Sequence, residues 1–166
     1  MNKKGMFTSN SHEWETPPNV FDKLNAEYQF TLDPAADDNN KKCDIYFTKK
    51  EDGLKQSWKH YTVFCNPPYG REIGKWVKKA YEESKNGNTI VILIPARTDT
   101  SYWHDYIFNK ADIIYFIKGR LKFSGSKVGA PFPSAIIVYN HPINIINNLQ
   151  NTLCNSNYHK ITTIGF

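Results

Sequence analysis

Cysteine is scarce in this chain: 3 in 166 residues, at Cys43, Cys65 and Cys154. An odd set without CxxC spacing argues against a disulfide framework and a zinc knuckle, so reduced thiols in a cytoplasmic protein are expected. Long hydrophobic runs are missing as well. Nothing approaches the roughly 18 apolar residues of a membrane span. The lysines of the opening MNKKGMFTSNSHEW precede no apolar stretch, so no signal peptide is expected either. The 5 histidines are scattered without ligand spacing, and no metal site is expected. G-x-x-x-x-G-K-[ST], G-x-S-x-G and H-E-x-x-H are all absent, which disfavours a P-loop nucleotidase, a serine hydrolase and a zincin.

What is present is a chain of one-domain length with 40% hydrophobic and 14% aromatic residues, enough for a packed core. The formal net charge of +5 favours an anionic partner, of which nucleic acid is the common one.

The hydrophobic pattern alternates between strand and helix. TPPNVFDKLNAEYQF reads as a helix, with Thr16 as N-cap, Pro17 at the first helical position, and Val20, Phe21, Leu24 and Tyr28 on one buried face. Residues 29–34 form a short strand closed by Asp-Pro, and residues 44–47 offer at most another. A strand from Thr62 ends at Asn66, and a helix follows over residues 73–85, stopped by the glycine of NGN. TIVILIP and DIIYFIK are continuous apolar runs, the mark of strands buried on both faces. Between them TSYWHDYIFNK reads as a helix. RLKFSGSKVGAPFP is a Gly/Pro-rich connection, and SAIIVY a last strand that pairs antiparallel, since no helix precedes it. The implied fold is α/β, a mostly parallel sheet with an antiparallel final strand. The asparagine-rich stretch after Tyr139 has no pattern that assigns a structure.

In an open parallel sheet, ligands bind beyond the carboxyl ends of the strands. Three such ends carry unusual chemistry: Asp33-Pro34, Asn66-Pro67-Pro68-Tyr69 and Pro95-Ala96-Arg97. An exocyclic amine on an aromatic base has N–H donors and a lone pair delocalised into the ring. To activate it, a site should accept hydrogen bonds from the NH₂ and draw the nitrogen toward tetrahedral geometry. An asparagine oxygen and a rigidly held proline carbonyl suit that task, and Tyr69 can stack on the base. The target atom is unreachable inside a duplex, so the base must flip out. The plainer reading of Asn-Pro-Pro-Tyr is a stiff turn. Asp33 suits a ribose hydroxyl or an amino group of a nucleoside-like cofactor, or closes an Asp-Pro turn. Asp52 suits an adenine amino group or is a solvated carboxylate. Arg97 suits a phosphate or a surface ion pair. Lys118, Arg120, Lys122 and Lys127 flank Phe123 in a basic loop fit to track a phosphate backbone, or are simply solvated. Trp14 stacks on a flat ligand or staples the helix that follows.

EWETPPNVFDKL, FTLDPAA, FCNPPYG, VILIPARTDTSYWHDYI and KGRLKFSGSKVGAPFPSAIIVY, in this order, resemble the phage-type DNA N6-adenine methyltransferase (Dam) family, over residues 13–140. The resemblance implies S-adenosylmethionine as methyl donor, DNA as substrate and a trimmed Rossmann-like methyltransferase sheet. It implies one such domain over residues 1–140 and a C-terminal tail over 141–166. Asn66, Pro67, Pro68 and Tyr69 would be the catalytic motif. Asp33, Pro34 and Ala35 would stand at the cofactor, joined by Trp14, Thr16 and Pro17 of the opening segment; Asp52 is added to that set on its own chemistry, not by the resemblance. From their positions alone, and not from the resemblance, Arg97, Arg120, Lys122 and Lys127 are expected to meet nucleic acid. The alternatives are a cytosine-N4 or RNA amino-methyltransferase, or a silent nucleic-acid-binding protein on the same frame. Two departures stand out. The loop after the acidic strand end, AADDNN, has no glycine, and only 33 residues separate Asp33 from Asn66.

Overall fold

The computed structural model describes residues 14–142 and 160–165. Helix α1 runs over Pro18–Tyr28, β1 over Leu32–Asp33, β2 over Ile45–Tyr46 and β3 over Val63–Cys65. Then come α2 (Ile73–Ser84), β4 (Ile90–Pro95), α3 (Ser101–Tyr106), β5 (Ile113–Ile117), β6 (Ser134–Tyr139) and β7 (Lys160–Ile164). The strands make one seven-stranded sheet in the order β2-β1-β3-β4-β6-β5-β7. Pairing is parallel from β2 through β4 and between β5 and β7. Strand β6 alone runs against its neighbours β4 and β5. The expected mixed sheet with an antiparallel SAIIVY strand is therefore present, with one strand more. β7 comes from the segment for which the sequence pattern assigned nothing, and it extends the sheet beside β5.

The core lies on the central strands. All six residues of β4 and all six of β6 are buried, as their unbroken apolar runs require. Phe64 of β3 packs edge-on against Phe21 of α1 at 5.2 Å between ring centroids. In α2, Ile73, Trp76, Val77 and Ala80 face inward at helical spacing. Gly87, with φ +87°, supplies the left-handed turn after it. Helix α3 is shorter than its sequence pattern: it ends at Tyr106, and Asn109 takes φ +60°, which a continuing helix cannot accommodate.

The start of α1 corrects one expectation. The N-cap is Pro17 and Pro18 opens the helix, with no side-chain cap. A second consecutive proline shifts the helix start one residue on, and Thr16 is released from capping to another task described below.

This topology puts the strand ends of interest on one edge. β1, β3, β4 and β5 all finish there, and β6 begins there, with Pro95 opposite Ser134. The chain steps from β1 outward to β2 and then back to β3 on the other side of β1. The crevice between the ends of β1 and β3 is thus the switch point at which open α/β sheets bind ligands.

Candidate active site

A cleft of about 490 Å³, solvent at its mouth included, opens at that switch point. Its walls are Trp14, Glu15 and Thr16 before α1; Asp33 at the end of β1, with Ala35, Asn40 and Lys42 after it; and Phe64 to Tyr69 without Cys65. Eight of the eleven residues expected at a catalytic or cofactor site meet here: Trp14, Thr16, Asp33, Ala35, Asn66, Pro67, Pro68 and Tyr69.

Asn66 sits one residue beyond β3, where Pro67 ends the ladder because it has no N–H to give. Its Nδ2 donates to the Trp14 carbonyl at 2.7 Å and to Thr16 Oγ1 at 2.9 Å. A carbonyl only accepts, so the atom facing Trp14 is the nitrogen, and the amide orientation is fixed. Asn66 Oδ1 is buried and has no partner among the described residues. Three other buried polar atoms share that condition, on Tyr102, Trp103 and Ser134, and none of those residues lines the cleft. An orphan acceptor of this kind costs about 1–3 kcal/mol unless something donates to it.

Aromatic rings build the adjoining wall. Trp14 lies nearly parallel to Tyr69, with ring centroids 6.4 Å apart, and meets Phe123 and Phe132 edge-on at 5.3 and 4.9 Å. Its aromatic partners are therefore Tyr69 of the cleft and two buried rings behind it, not a residue of α1. The Tyr69 hydroxyl donates to the Leu93 carbonyl of β4 at 3.2 Å, which holds the ring in place, and burial raises its pKa. Phe123 and Phe132 come from the connection between β5 and β6. Ser124 of the same connection donates its backbone N–H to the Glu15 carbonyl at 2.9 Å.

Asp33 is 5% exposed, and burial lifts its carboxyl to about pKa 6 against the backbone donors that pull it down. Those donors are the N–H of Ala35 at 3.3 Å and of Lys42 at 3.1 Å. The carboxyl thus draws both ends of the glycine-free loop toward itself. Each of its oxygens keeps a second lone pair for a ligand. Cys65 is fully buried and its thiol is pushed well above the ordinary range by that burial, so it has no nucleophile's character.

The remaining expected residues lie elsewhere. Pro34 is buried beneath the loop, its carbonyl against Gly53. Asp52 takes φ +59° and pairs with Lys55 at 3.1 Å, outside the cleft. Pro17, Arg120 and Lys122 line a second, polar groove with Lys118. Arg97 stands in the turn between β4 and α3, its carbonyl taken by Thr100, and Lys127 is exposed on the long connection. Glu13 lies outside the described residues. No cluster of metal-ligating side chains exists among the described residues.

A family model described as DNA N-6-adenine-methyltransferase (Dam) matches residues 5–160. The chain belongs to this family. It is 36% identical over 132 residues to a DNA N-6-adenine-methyltransferase of Escherichia phage T1, covering 70% of this chain and 55% of that protein. It is 34% identical over 64 residues to a putative methyltransferase, YfdM, of Escherichia coli (strain K12), covering 34% of this chain and 70% of that protein. The chain spans about half the length of the phage relative.

Within the family frame, several cleft residues had no distinguishing mark in the sequence. Asn40 and Lys42 line the cleft, yet each reads as an ordinary surface polar residue, while Glu15 was marked only through the EWETP segment it belongs to. Phe123 and Phe132, which back Trp14 from behind the cleft, carried a faint signal, aromatics set in a Gly/Pro-rich connection.

Proposed function

We propose that the chain transfers the methyl group of S-adenosylmethionine to the N6 amine of adenine in DNA. The observation that carries this reading is Asn66 Oδ1: a buried acceptor without a donor, aimed from the end of β3 and held by two hydrogen bonds on the other side of its amide. It has the chemistry that an exocyclic NH₂ requires.

The cleft also fits a nucleoside-bearing donor. Its lining mixes aromatic and proline surface (Trp14, Phe64, Pro67, Pro68, Tyr69) with a few polar groups (Thr16, Asp33, Asn66), the make-up of a small-molecule site. Asp33, ionised at neutral pH, lies at the switch point where such ligands are held. Pro34 and Ala35 follow it as the turn of the donor site, and Trp14 and Thr16 wall the cleft opposite. The sheet is then a trimmed Rossmann-like methyltransferase frame, one domain that β7 completes. Bound in the cleft, S-adenosylmethionine supplies an electrophilic methyl on a positively charged sulfur.

The protein's own residues do the positioning. Asn66 Oδ1 accepts one N6–H, and the rigid Pro67 carbonyl accepts the other. Both contacts draw the lone pair out of conjugation and point it along the line of attack. The Tyr69 ring, fixed through its hydroxyl, supports the flat base. The donor would supply the methyl group and leave as the neutral thioether, while Asn66 and Pro67 would keep the N6 amine facing it and the proton lost from N6 would pass to solvent. No covalent enzyme intermediate is required, in keeping with the inert Cys65. Catalysis is positioning and electrostatics. Arg97, Arg120, Lys122 and Lys127 are the cations proposed to meet the phosphate backbone.

Isothermal titration with S-adenosylmethionine, with and without duplex DNA, tests the donor assignment. Micromolar binding in either condition is expected. Absence of binding in both would leave a nucleic-acid-binding protein on this frame and overturn the reading.

A further inference from the structure

We propose that Glu15 and Lys42 form the seat for the amino-acid end of the methyl donor, a proposal that rests on the donor reading above. The two side chains face each other on the cleft wall, Lys42 Nζ to Glu15 Oε1 at 3.1 Å. They belong to segments 27 residues apart in sequence. One lies just before α1 and the other closes the loop after β1.

Both residues are anchored through their backbones, so their side chains do not carry the local structure. The Lys42 N–H donates to Asp33 Oδ2 at 3.1 Å, and the Glu15 carbonyl accepts from Ser124 at 2.9 Å. The two side chains are only 16% and 33% exposed, and for charges so far out of water the desolvation cost offsets much of their attraction, so the pair is weak evidence of a purely stabilising role.

The charge pattern matches the ligand. Glu15 and Asp33 against Lys42 leave the cleft one net negative charge when Asp33 is ionised. The donor carries an α-carboxylate, an α-ammonium and a sulfonium, one net positive charge. Its carboxylate takes the Lys42 ammonium and its ammonium takes Glu15, so each side chain exchanges its present partner for one of the same charge. Burying such groups is tolerable only when they are paired, and the exchange leaves none unpaired. The glycine-free loop finds a purpose in this arrangement. Asp33 draws the loop inward and thereby sets Lys42 beside the cleft.

Two product-like probes isolate the amino-acid end. S-adenosylhomocysteine carries it, and 5′-methylthioadenosine lacks it, while both share the adenosine and the thioether. Dissociation constants for each are measured by titration calorimetry with wild type, E15Q, K42M and the charge-swapped double variant E15K/K42E, with thermal melts on all four. Wild type binds S-adenosylhomocysteine the more tightly. Each variant weakens that binding by about tenfold or more and leaves 5′-methylthioadenosine unchanged. The swapped pair restores the ion pair but reverses its polarity, so it too loses S-adenosylhomocysteine. A swapped variant that binds both probes as wild type does would overturn the proposal and make the pair a brace. So would an equal loss of both probes in E15Q and K42M, or no loss of either. Wild type that binds the two probes equally would also overturn the seat while leaving the donor reading intact. Wild type that binds neither probe, with duplex DNA present as well as without it, would overturn the donor reading itself.

Discussion

Replacing Asn66 with alanine separates folding from chemistry. The variant loses two hydrogen bonds, to the Trp14 carbonyl and to Thr16 Oγ1. Each is worth about 0.5–1.5 kcal/mol net, so roughly 2 kcal/mol is lost. The same truncation removes the orphan Oδ1, whose burial costs about 1–3 kcal/mol. The two effects cancel to within about 1 kcal/mol, which for a chain of this size is a melting shift of no more than roughly 4 °C. The vacated space opens on the cleft, where water reaches the freed carbonyl. Methyl transfer is different, because the acceptor that grips the amine is gone. A loss of at least about 100-fold in kcat is expected, the scale of deleting one preorganised polar contact to a reacting centre. Thermal melts and label transfer from S-adenosylmethionine to DNA, run on the same preparations, measure both. A melting drop beyond roughly 8 °C would show that Asn66 pins the segment before α1 and that the orphan's cost is overstated. Activity within about threefold of wild type would refute the contact between Oδ1 and the substrate.

Three further outcomes follow from other parts of the structure. Asp33, raised to about 6 in the fold from an ordinary 3.8, keeps a proton between those values that the unfolded chain has released. Stability should therefore fall as pH rises from about 4 to 6, by on the order of 3 kcal/mol, and level off above; denaturant titrations across pH on wild type and Asp33→Asn should show the slope in the first and not in the second. Gly53→Ala places a Cβ 2.0 Å from the Pro34 carbonyl oxygen and 3.1 Å from the Trp76 ring. The backbone must shift, at a cost of about 1–3 kcal/mol read in denaturant melts, and a wild-type midpoint would contradict the packing. Arg120→Gln and Lys122→Gln should each weaken DNA binding and reduce the slope of log affinity against log salt by about 1; an unchanged slope would remove that residue from the phosphate track.

The parts of this site that were legible in the sequence are those whose chemistry is local. Asn66 announced itself because two prolines end a β-branched run directly after it, and Asp33 because Asp-Pro closes another. The buried strands over residues 90–95 and 134–139 were legible because both faces are covered and the apolar run is unbroken. Thr16 misled for an instructive reason. Its spacing suits a helix cap, but the second proline moves the helix start, and the hydroxyl serves Asn66, a residue 50 positions away. Glu15 was placed beside the cofactor only as part of the EWETP segment, and Lys42 was invisible, since nothing in a lone surface charge tells that it faces another across a cleft. β7 was equally hidden. Its residues become a strand through register with β5, with Ile161 opposite Ile114, and no periodicity of their own declares it.

The most direct test of the central claim is nucleoside analysis of the product. DNA is incubated with the protein and S-adenosylmethionine carrying a labelled methyl group, digested to nucleosides and resolved by mass spectrometry. The account predicts label in N6-methyldeoxyadenosine and nowhere else, and no label with Asn66→Ala. Label in N4-methyldeoxycytidine, or unlabelled DNA from protein that binds both the donor and the duplex, would contradict it.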